Sequence, residues 1–185
     1  MIKGDFNHCT TLEQFYSEIV RVQTEAHGEL YTCHHADLIR LMPECKSYKE
    51  LGVNQGATAA AVLLQAPKYI ELIDITLNNF NEYRHLFEQF AQENDVLLSI
   101  KEIGSTDPSL EITECDLLFV DSLHHAWHVE QELRLHAPKT NKYIVIHDTG
   151  DRPMNHATAI NVLMPMGWKE VKHDLRGHGH SVFKR

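Results

Sequence analysis

The apolar and polar positions near the start of the chain follow a helical period. Apolar side chains recur at helical spacing after Thr10 and Thr11, and this pattern predicts a helix that continues to about Ala26. A second helix is predicted over residues 36–42. It ends before Pro43, because proline lacks the N–H that a continuing helix requires.

From residue 47 onward, predicted strands alternate with predicted helices. Short apolar runs bounded by turn residues predict strands, whereas runs with a period near 3.6 predict helices. The predicted strands cover residues 47–51, 69–74, 96–103, 116–121, 143–147, 168–173 and 181–184. The predicted helices cover residues 57–65, 80–92, 127–135 and 157–164. The two last strands are close together in the sequence and predict an antiparallel hairpin.

This alternation predicts an α/β fold. We expect a Rossmann-like open sheet of about seven strands, with helices on both faces and an antiparallel C-terminal strand. A chain of 185 residues suits one domain with a proper core. We therefore expect a single domain over residues 1–185, with N-terminal helices in 1–45 and a ligand-binding core in 46–185. In such sheets, ligands bind outside the carboxyl ends of the strands.

Composition limits which binding partners and which cellular compartment we expect. The net charge is −9, from 17 Lys and Arg against 26 Asp and Glu, and this balance argues against nucleic-acid binding, which needs clustered cations. No N-terminal apolar segment and no apolar run of about 18 residues is present, so we expect no membrane association and a cytoplasmic protein. The four cysteines form no C-x-x-C pair and are expected to be reduced thiols.

The first predicted strand ends in a glycine-containing turn. Gly52 and Gly56 are separated by three residues, after Glu50 and just before a helix, so the backbone can turn sharply and approach a ligand. This spacing is neither the dinucleotide fingerprint nor a P-loop. Asp74 ends the next strand, where a carboxylate can accept both hydroxyls of a ribose. The alternative for Asp74 is a helix N-cap.

Together these residues resemble a motif of a known protein family. The segment Glu50-Leu-Gly-Val-Asn-Gln-Gly-Ala-Thr58 resembles the first motif of class I S-adenosylmethionine-dependent methyltransferases, and the likeness extends from about Tyr48 to the C-terminus. Within that superfamily the chain is similar to the metal-dependent catechol-type and sugar-type O-methyltransferases. The resemblance implies S-adenosylmethionine as cofactor and the following cofactor-binding residues: Glu50, Gly52, Asn54, Gly56, Thr58, Asp74, Ser105 and Thr106.

Two later segments extend the resemblance. Val-Asp121-Ser-Leu-His124 is similar to the family's Asp-Gly-Asp-His segment, and His147-Asp148-Thr149 is similar to the pair of polar residues that follows its fifth strand. The chain departs from the family at three positions, all of which bear on the metal site. Ser122 replaces a glycine, Leu123 replaces the second acid, and Thr149 replaces an asparagine metal ligand.

Methyl transfer to a hydroxyl requires removal of a proton, by a base, by a cation that lowers the hydroxyl pKa, or by both. Asp121 and Asp148 end neighbouring predicted strands, so they are candidate ligands for Mg²⁺ or another divalent cation, with His147 as a third. His124 is the candidate catalytic base. The alternatives are loop capping for the two acids and packing against the sheet for His147. His124 is otherwise a structural histidine or, with His128, half of a zinc site.

Two further histidine groups are expected to have ordinary roles. His34 and His35 are predicted to begin the second helix, with a place in the pocket as the alternative. The segment 176–180 is predicted to form the turn between the last two strands, with its histidines on an exposed tip that borders the acceptor pocket.

The sequence thus favours a transferase, an S-adenosylmethionine-dependent O-methyltransferase acting on a hydroxyl of a small molecule or sugar, assisted by a divalent metal such as magnesium. One alternative is a non-methylating S-adenosylmethionine-binding or regulatory protein on the same fold. The other is a metal-dependent hydrolase or lyase built on the histidines and carboxylates. The chain has no large insertion that forms a lid, so the acceptor pocket is expected to be open or completed by a second copy in a homodimer.

Overall fold

The computed structural model describes residues 6–185, and its helices lie largely where the helical period predicts them. Residues 1–5, part of the segment in which no apolar leader is found, lie outside the described residues. The helices are α1 (Leu12–His27), α2 (Cys33–Leu41), α3 (Ala57–Leu63), α4 (Asn78–Asn81), α5 (Arg84–Glu93), α6 (Ala126–His136) and α7 (Pro153–Leu163). None of these helices is both long and apolar enough to cross a membrane.

A seven-stranded sheet forms the centre of the described chain. Its strands are β1 (Ser47–Leu51), β2 (Tyr69–Asp74), β3 (Leu97–Glu102), β4 (Cys115–Val120), β5 (Thr140–His147), β6 (Lys169–Asp174) and β7 (His180–Lys184), in the order β3-β2-β1-β4-β5-β7-β6. Neighbouring strands from β3 to β5 pair in parallel, and β7 is antiparallel to both β5 and β6. The predicted α/β sheet with its antiparallel C-terminal strand is confirmed.

The sheet has a hydrophobic core on each face. Side chains of consecutive strand residues point to opposite faces, so Leu117 and Phe119 of β4 join one core, and Leu118 and Val120 join the other. The first core is covered by α1, α2, α3 and α5, and the second by α6 and α7. Because β1, β4 and β5 are covered on both faces, their carboxyl ends are held at fixed positions at one edge of the sheet.

Four predicted elements differ clearly from the observed ones, among them the helix predicted over residues 157–164, which begins at Pro153. The single helix predicted over residues 80–92 is interrupted between α4 and α5 at Tyr83, whose ring packs 5.4 Å from Phe6 and 5.1 Å from Phe15. The helix predicted from residue 36 begins at Cys33, and the strand predicted from residue 143 begins at Thr140. The apolar periodicity therefore indicates which face of each element is buried, but it does not locate the first residue of each element as well.

Candidate functional site

A cavity of about 730 Å³ lies at the carboxyl ends of β1, β2, β4 and β5. This volume falls within the range of small-molecule sites, about 300–1,000 Å³. Most of the predicted site residues line it: Glu50, Gly52, Asn54, Thr58, Asp74, Ser105, Asp121, His124, His147 and Asp148. Two other predicted residues, Gly56 and Thr106, are not among the lining residues.

The two glycines of the turn after β1 have different structural roles. Gly52 has φ +90°, and a Cβ there would lie 2.3 Å from the carbonyl oxygen of Asp121, so only glycine lets the two loops approach. Gly56 has φ +88° at the start of α3, where a Cβ would lie 2.8 Å from the ring of Phe87. Gly52 therefore shapes the cavity wall, whereas Gly56 permits close packing behind it.

The carboxylate of Asp74 holds the glycine loop in place. Its Oδ2 accepts hydrogen bonds from the backbone N–H of Val53 at 2.7 Å and of Asn54 at 2.9 Å, and its Oδ1 accepts from the N–H of Thr76 at 3.1 Å. The N-cap of α4 is Leu77, so Asp74 is not a helix cap. A carboxylate offers about four acceptor positions. Three are occupied, which leaves about one for a ligand in the cavity.

Glu50 brings a buried carboxyl group to the same cavity. It is 1% exposed, and the hydroxyl of Tyr48 donates a hydrogen bond to its Oε2 at 2.8 Å. Burial raises the pKa of Glu50 well above its usual range despite that hydrogen bond, and the nearby carboxylates of Asp121 and Asp74 raise it further. Glu50 thus places at the cavity a buried carboxyl group whose neutral form is favoured and whose ionisation would require a cationic neighbour.

A buried carboxylate that sequence reasoning missed supports the loops after β3 and β4. Glu132 of α6 is fully buried, and its Oε1 accepts hydrogen bonds from the hydroxyls of Ser105 and Ser122, both at 2.5 Å. The Nε2 atom of His128 lies 3.3 Å from the same oxygen. One signal in the sequence was an acid within the apolar stripe of α6, three positions after Val129. Glu132 therefore positions two serines of the cavity wall from behind it.

Four predicted residues meet in one cluster at the ends of β4 and β5. The Nδ1 atom of His147 lies 3.0 Å from Oδ1 of Asp121 and 3.3 Å from Oδ1 of Asp148. The Nδ1 atom of His124 lies 2.6 Å from the other oxygen of Asp148. Asp148 has φ +58°, a conformation that an aspartate adopts at an energetic cost. The backbone thus directs this carboxylate to a point between two imidazoles.

The charges in this cluster stabilise one another. Burial disfavours the imidazolium form of His147, but the carboxylates of Asp121 and Asp148 outweigh burial and raise its pKa to about 10. The hydrogen bond to Asp148 raises the pKa of His124. Burial of Asp148 opposes its ionisation, yet its bonds to the two imidazoles hold its pKa well below the usual range. The two carboxylates therefore favour the imidazolium form of His147.

The same cluster has donors suited to a divalent cation. Asp121, His124 and Asp148 each offer a ligand atom, and the three atoms lie within 4.8 Å of one another. His147 contacts both carboxylates but is not part of this three-residue set. The zinc pair of His124 with His128 does not form. His124 precedes α6 and contacts Asp148, whereas His128 contacts Ser105 and Glu132. Thr149 does not line the cavity, and its hydroxyl accepts a hydrogen bond from Ser181.

Segments far apart in the sequence complete the cavity wall. His34 is buried in α2 and its ring lies 4.3 Å from that of His147, so the pocket role for His34 that the sequence left open is realised. His178 lines the cavity and is hydrogen-bonded to Asp151, but His180 is 1% exposed, so the predicted exposed position for both histidines was wrong for His180. Pairing of His180 with His147 in the β5–β7 ladder explains its burial.

Other wall residues carried no clear signal in the sequence: Gln23, Tyr31, Ile75, Asp151 and Arg152. Gln23 lies in α1, Tyr31, Asp151 and Arg152 lie in loops, and Ile75 follows Asp74 at the end of β2 as an apolar residue that no motif marks.

The sequence matches no family model, and no curated protein is significantly similar to it. Solved structures are similar in fold. The chain superimposes on a ribosomal protein L11 methylase from Lactobacillus delbrueckii subsp. bulgaricus with a TM-score of 0.61 and 14% identity, covering 85% of this chain and 79% of that chain. A methyltransferase from Podospora anserina, solved with SAH bound, gives a TM-score of 0.61 and 15% identity over 95% and 87% of the two chains.

A third structure, an O-methyltransferase family protein from Burkholderia thailandensis, gives a TM-score of 0.60 and 13% identity. The alignment covers 95% of this chain and 62% of that protein, so the chain spans less than two thirds of this neighbour. At these identities the likeness establishes the methyltransferase fold.

Proposed function

We propose that this protein transfers a methyl group from S-adenosylmethionine to a hydroxyl of a small molecule or sugar. The observation that carries the proposal is the continuity of one cavity. Its wall runs from the glycine loop at Gly52, past Asp74, to the cluster of His124 and Asp148. Cofactor groups and a proton acceptor would thus face the same enclosed space. The methyltransferase fold of the neighbours supports this choice.

The residues present fit S-adenosylmethionine. When bound, the cofactor supplies an electrophilic methyl group. The absent side chain at Gly52 lets the loops after β1 and β4 meet at the cavity wall, since a Cβ there would lie 2.3 Å from the carbonyl oxygen of Asp121. Asp74 retains about one acceptor position for a ribose hydroxyl. The buried carboxyl group of Glu50 is available to a cationic group of the cofactor. Ile75 follows Asp74 and presents an apolar surface that is 78% exposed, suited to a purine ring.

His124 is the proposed base. Because Asp148 accepts a hydrogen bond from Nδ1, the neutral imidazole holds its proton on Nδ1 and leaves Nε2 free to accept one. This is the arrangement in which a carboxylate orients a histidine for proton transfer. Asp121, 4.0 Å from the same Nδ1, adds a second negative charge that stabilises the imidazolium after transfer. The chain therefore holds a base and its orienting group in one cavity.

The proposed divalent cation would be held by Asp121 and Asp148 with His147, whose Nδ1 contacts both carboxylates, so that His124 stays available as the base. When bound, it would lower the pKa of the acceptor hydroxyl. The cation would take the place of the proton that His147 shares with Asp121 and Asp148, whose oxygens both contact its Nδ1. Residual negative charge and flexible oxygen donors make Mg²⁺ a suitable ion.

The first experiment tests the cofactor site. We expect S-adenosylhomocysteine to bind the protein in calorimetric titration and Gly52→Ala to weaken binding at least tenfold, because the new Cβ would displace the loop after β4. Gly28→Ala is the matched control. Its φ of +93° resembles that of Gly52, but a Cβ there would contact nothing within 4 Å, so binding should be unchanged. Absence of binding to the unaltered protein would contradict the proposal.

The second experiment tests the chemistry. With labelled S-adenosylmethionine and a panel of phenols and sugars, we expect His124→Ala to lower turnover by about 10²–10⁴-fold, the usual contribution of a general base. His125→Ala is the control, because the neighbouring exposed histidine does not line the cavity. Excess chelator should lower the rate, and an unchanged rate would exclude the cation. Binding without transfer to any hydroxyl would overturn the methyltransferase assignment.

A further inference from the structure

A second cluster of metal-ligating side chains lies outside the cavity, between α7 and β6. The Nε2 atom of His156 lies 2.8 Å from Oε1 of Glu170, and the rings of His156 and His173 stack with centroids 3.8 Å apart. None of the three residues lines the cavity. The side chains of His156 and Glu170 are about a quarter exposed, so solvent ions reach them.

A β-bulge brings two of these residues to the same face. Glu170 and His173 are three positions apart on β6 and would point to opposite faces in a regular strand. The register against β7 shifts between Glu170 and Lys172, which leaves Val171 as an extra residue with an exposed side chain. Bulges of this kind redirect side chains. Here the bulge places Glu170 and His173 together, facing His156 of α7.

The donor set is that of a transition-metal site. Two imidazoles and one carboxylate form a common ligand set for Zn²⁺ with an open fourth position. The three ligand atoms lie within 4.8 Å of one another, and on a tetrahedral ion with bonds of about 2.1 Å they would lie about 3.4 Å apart. His173 is exposed, so rotation of its side chain out of the stack with His156 would close that difference.

The local charge leaves this cluster open to a cation. Among residues 6–185, Glu170 forms no ion pair with a lysine or arginine. A different buried cluster offers the contrast. Asp37, Asp174 and His180 also lie within ligand range, but the ammonium group of Lys172 is already 2.5 Å from Asp37 and 3.0 Å from Asp174. That cluster has its cation, whereas the carboxylate of Glu170 has only an imidazole partner.

We propose that His156, Glu170 and His173 bind one divalent transition-metal ion of the zinc class, with water at the fourth position. The ion would join the first turn of α7 to β6 and so fix the start of α7. Asp151 and Arg152, which line the cavity, immediately precede that helix. The site is independent of the proposed methyl transfer, because no ligand is shared with the cavity.

Calorimetric titration with ZnCl₂ tests the proposal. The titration uses protein carrying Asp121→Asn and Asp148→Asn, because these substitutions remove the carboxylates that could bind Zn²⁺ in the cavity. In this variant we expect one Zn²⁺ per chain. Adding His173→Ala should weaken binding at least tenfold, because one of three protein ligands is lost. His85→Ala is the matched control, an exposed histidine on α5 that belongs to no such cluster among residues 6–185. No binding, or binding that His173→Ala leaves unchanged, would overturn the proposal.

A second measurement does not depend on the folding of the double variant. In the unaltered protein, Zn²⁺ should slow backbone hydrogen exchange at the start of α7 and along β6. His173→Ala should abolish that protection, and His85→Ala should retain it. Protection confined to the ends of β4 and β5 would assign zinc binding to the cavity instead and contradict the proposal.

Discussion

At the scale of single residues, His35 shows how burial controls protonation beside the cavity. The hydroxyl of Tyr16 lies 3.2 Å from its Nδ1, and its Nε2 lies 3.4 Å from Oγ1 of Thr58. Burial, with a smaller effect from the charge on His147, lowers the pKa of His35 to about 3. The folded protein therefore keeps this imidazole neutral at pH values where the unfolded chain protonates it.

We expect His35 to make folding stability depend on pH. Below an unfolded pKa of about 6.5, the unfolded chain binds a proton that the folded protein excludes, so stability is present above pH 6.5 and is lost as the pH falls. The slope from this group is up to about 1.4 kcal/mol per pH unit. Urea unfolding between pH 7.5 and 5, compared for the unaltered protein and His35→Gln, measures the share of this group in the slope, and the slope should be smaller in the variant. An unchanged slope in the variant would contradict the assignment.

At the scale of elements, β1 and β2 share a buried ion pair. The ammonium of Lys49 lies 3.0 Å from Oε2 of Glu71 and donates to the carbonyl oxygen of Thr113 at 2.7 Å, and both charged side chains are at most 1% exposed. Lys101 of β3 contacts the other oxygen of Glu71 at 2.7 Å. Burial opposes ionisation of Glu71, but these partners together lower its pKa. The pair links the three strands and the loop that precedes β4.

Removing one partner of this pair should destabilise the sheet. Lys49→Met leaves Glu71 with a single cation and should lower the free energy of unfolding by about 3 kcal/mol. Replacing both residues, as in Lys49→Met with Glu71→Met, should restore most of that loss, because no buried charge then lacks its partner. Urea unfolding of the single and double variants measures both effects. Equal destabilisation in the two variants would show that packing, not charge, is responsible.

At the scale of the whole molecule, one polar cluster connects the N-terminal helices to the C-terminal strands. Asp37 of α2 contacts His180 of β7 at 2.7 Å and Lys172 of β6 at 2.5 Å, across 143 and 135 residues of sequence. Asp174 lies 3.0 Å from the same ammonium. This contact fixes α2, and with it His34, against the end of the sheet that carries the cavity.

Loss of the central cation should loosen that connection. Lys172→Met leaves the buried carboxylates of Asp37 and Asp174 without their shared ammonium. It should cost about 2 kcal/mol, a value reduced because Lys172 is about a third exposed. Hydrogen exchange in α2 should accelerate. Lys169→Met is the control on the same strand, since Lys169 is exposed and forms no ion pair among residues 6–185. Unchanged exchange in α2 would contradict this role.

Much of the fold follows from local pattern. β1 and β2 have the predicted bounds, because alternating or continuous apolar runs between turn residues leave one way to bury each strand. The α4–α5 interruption at Tyr83 was not predictable, since its cause is packing against Phe6 and Phe15, which are far away in the sequence. Local residues specify which face of a helix or strand is buried, whereas contacts with distant residues decide whether a helix continues or is interrupted.

The residues of the candidate site likewise fall into two groups, those that the sequence identifies and those that it does not. Asp121, His147 and Asp148 were identifiable because they end neighbouring strands of one sheet, and strand ends meet at one edge. Glu132, Tyr31 and Arg152 were not, because their neighbours in sequence predict only a helix or a loop.

The sequence by itself determined the succession of strands and helices along the chain, the antiparallel C-terminal strand and the residues at the strand ends. These features depend on neighbours along the chain. Only the tertiary structure decided that Asp74 holds the glycine loop, that Asp148 lies between two imidazoles, and that a bulge unites Glu170 with His173. The physical reason is that hydrogen bonds and ion pairs act over a few ångströms, and only packing brings residues far apart in the sequence within that distance.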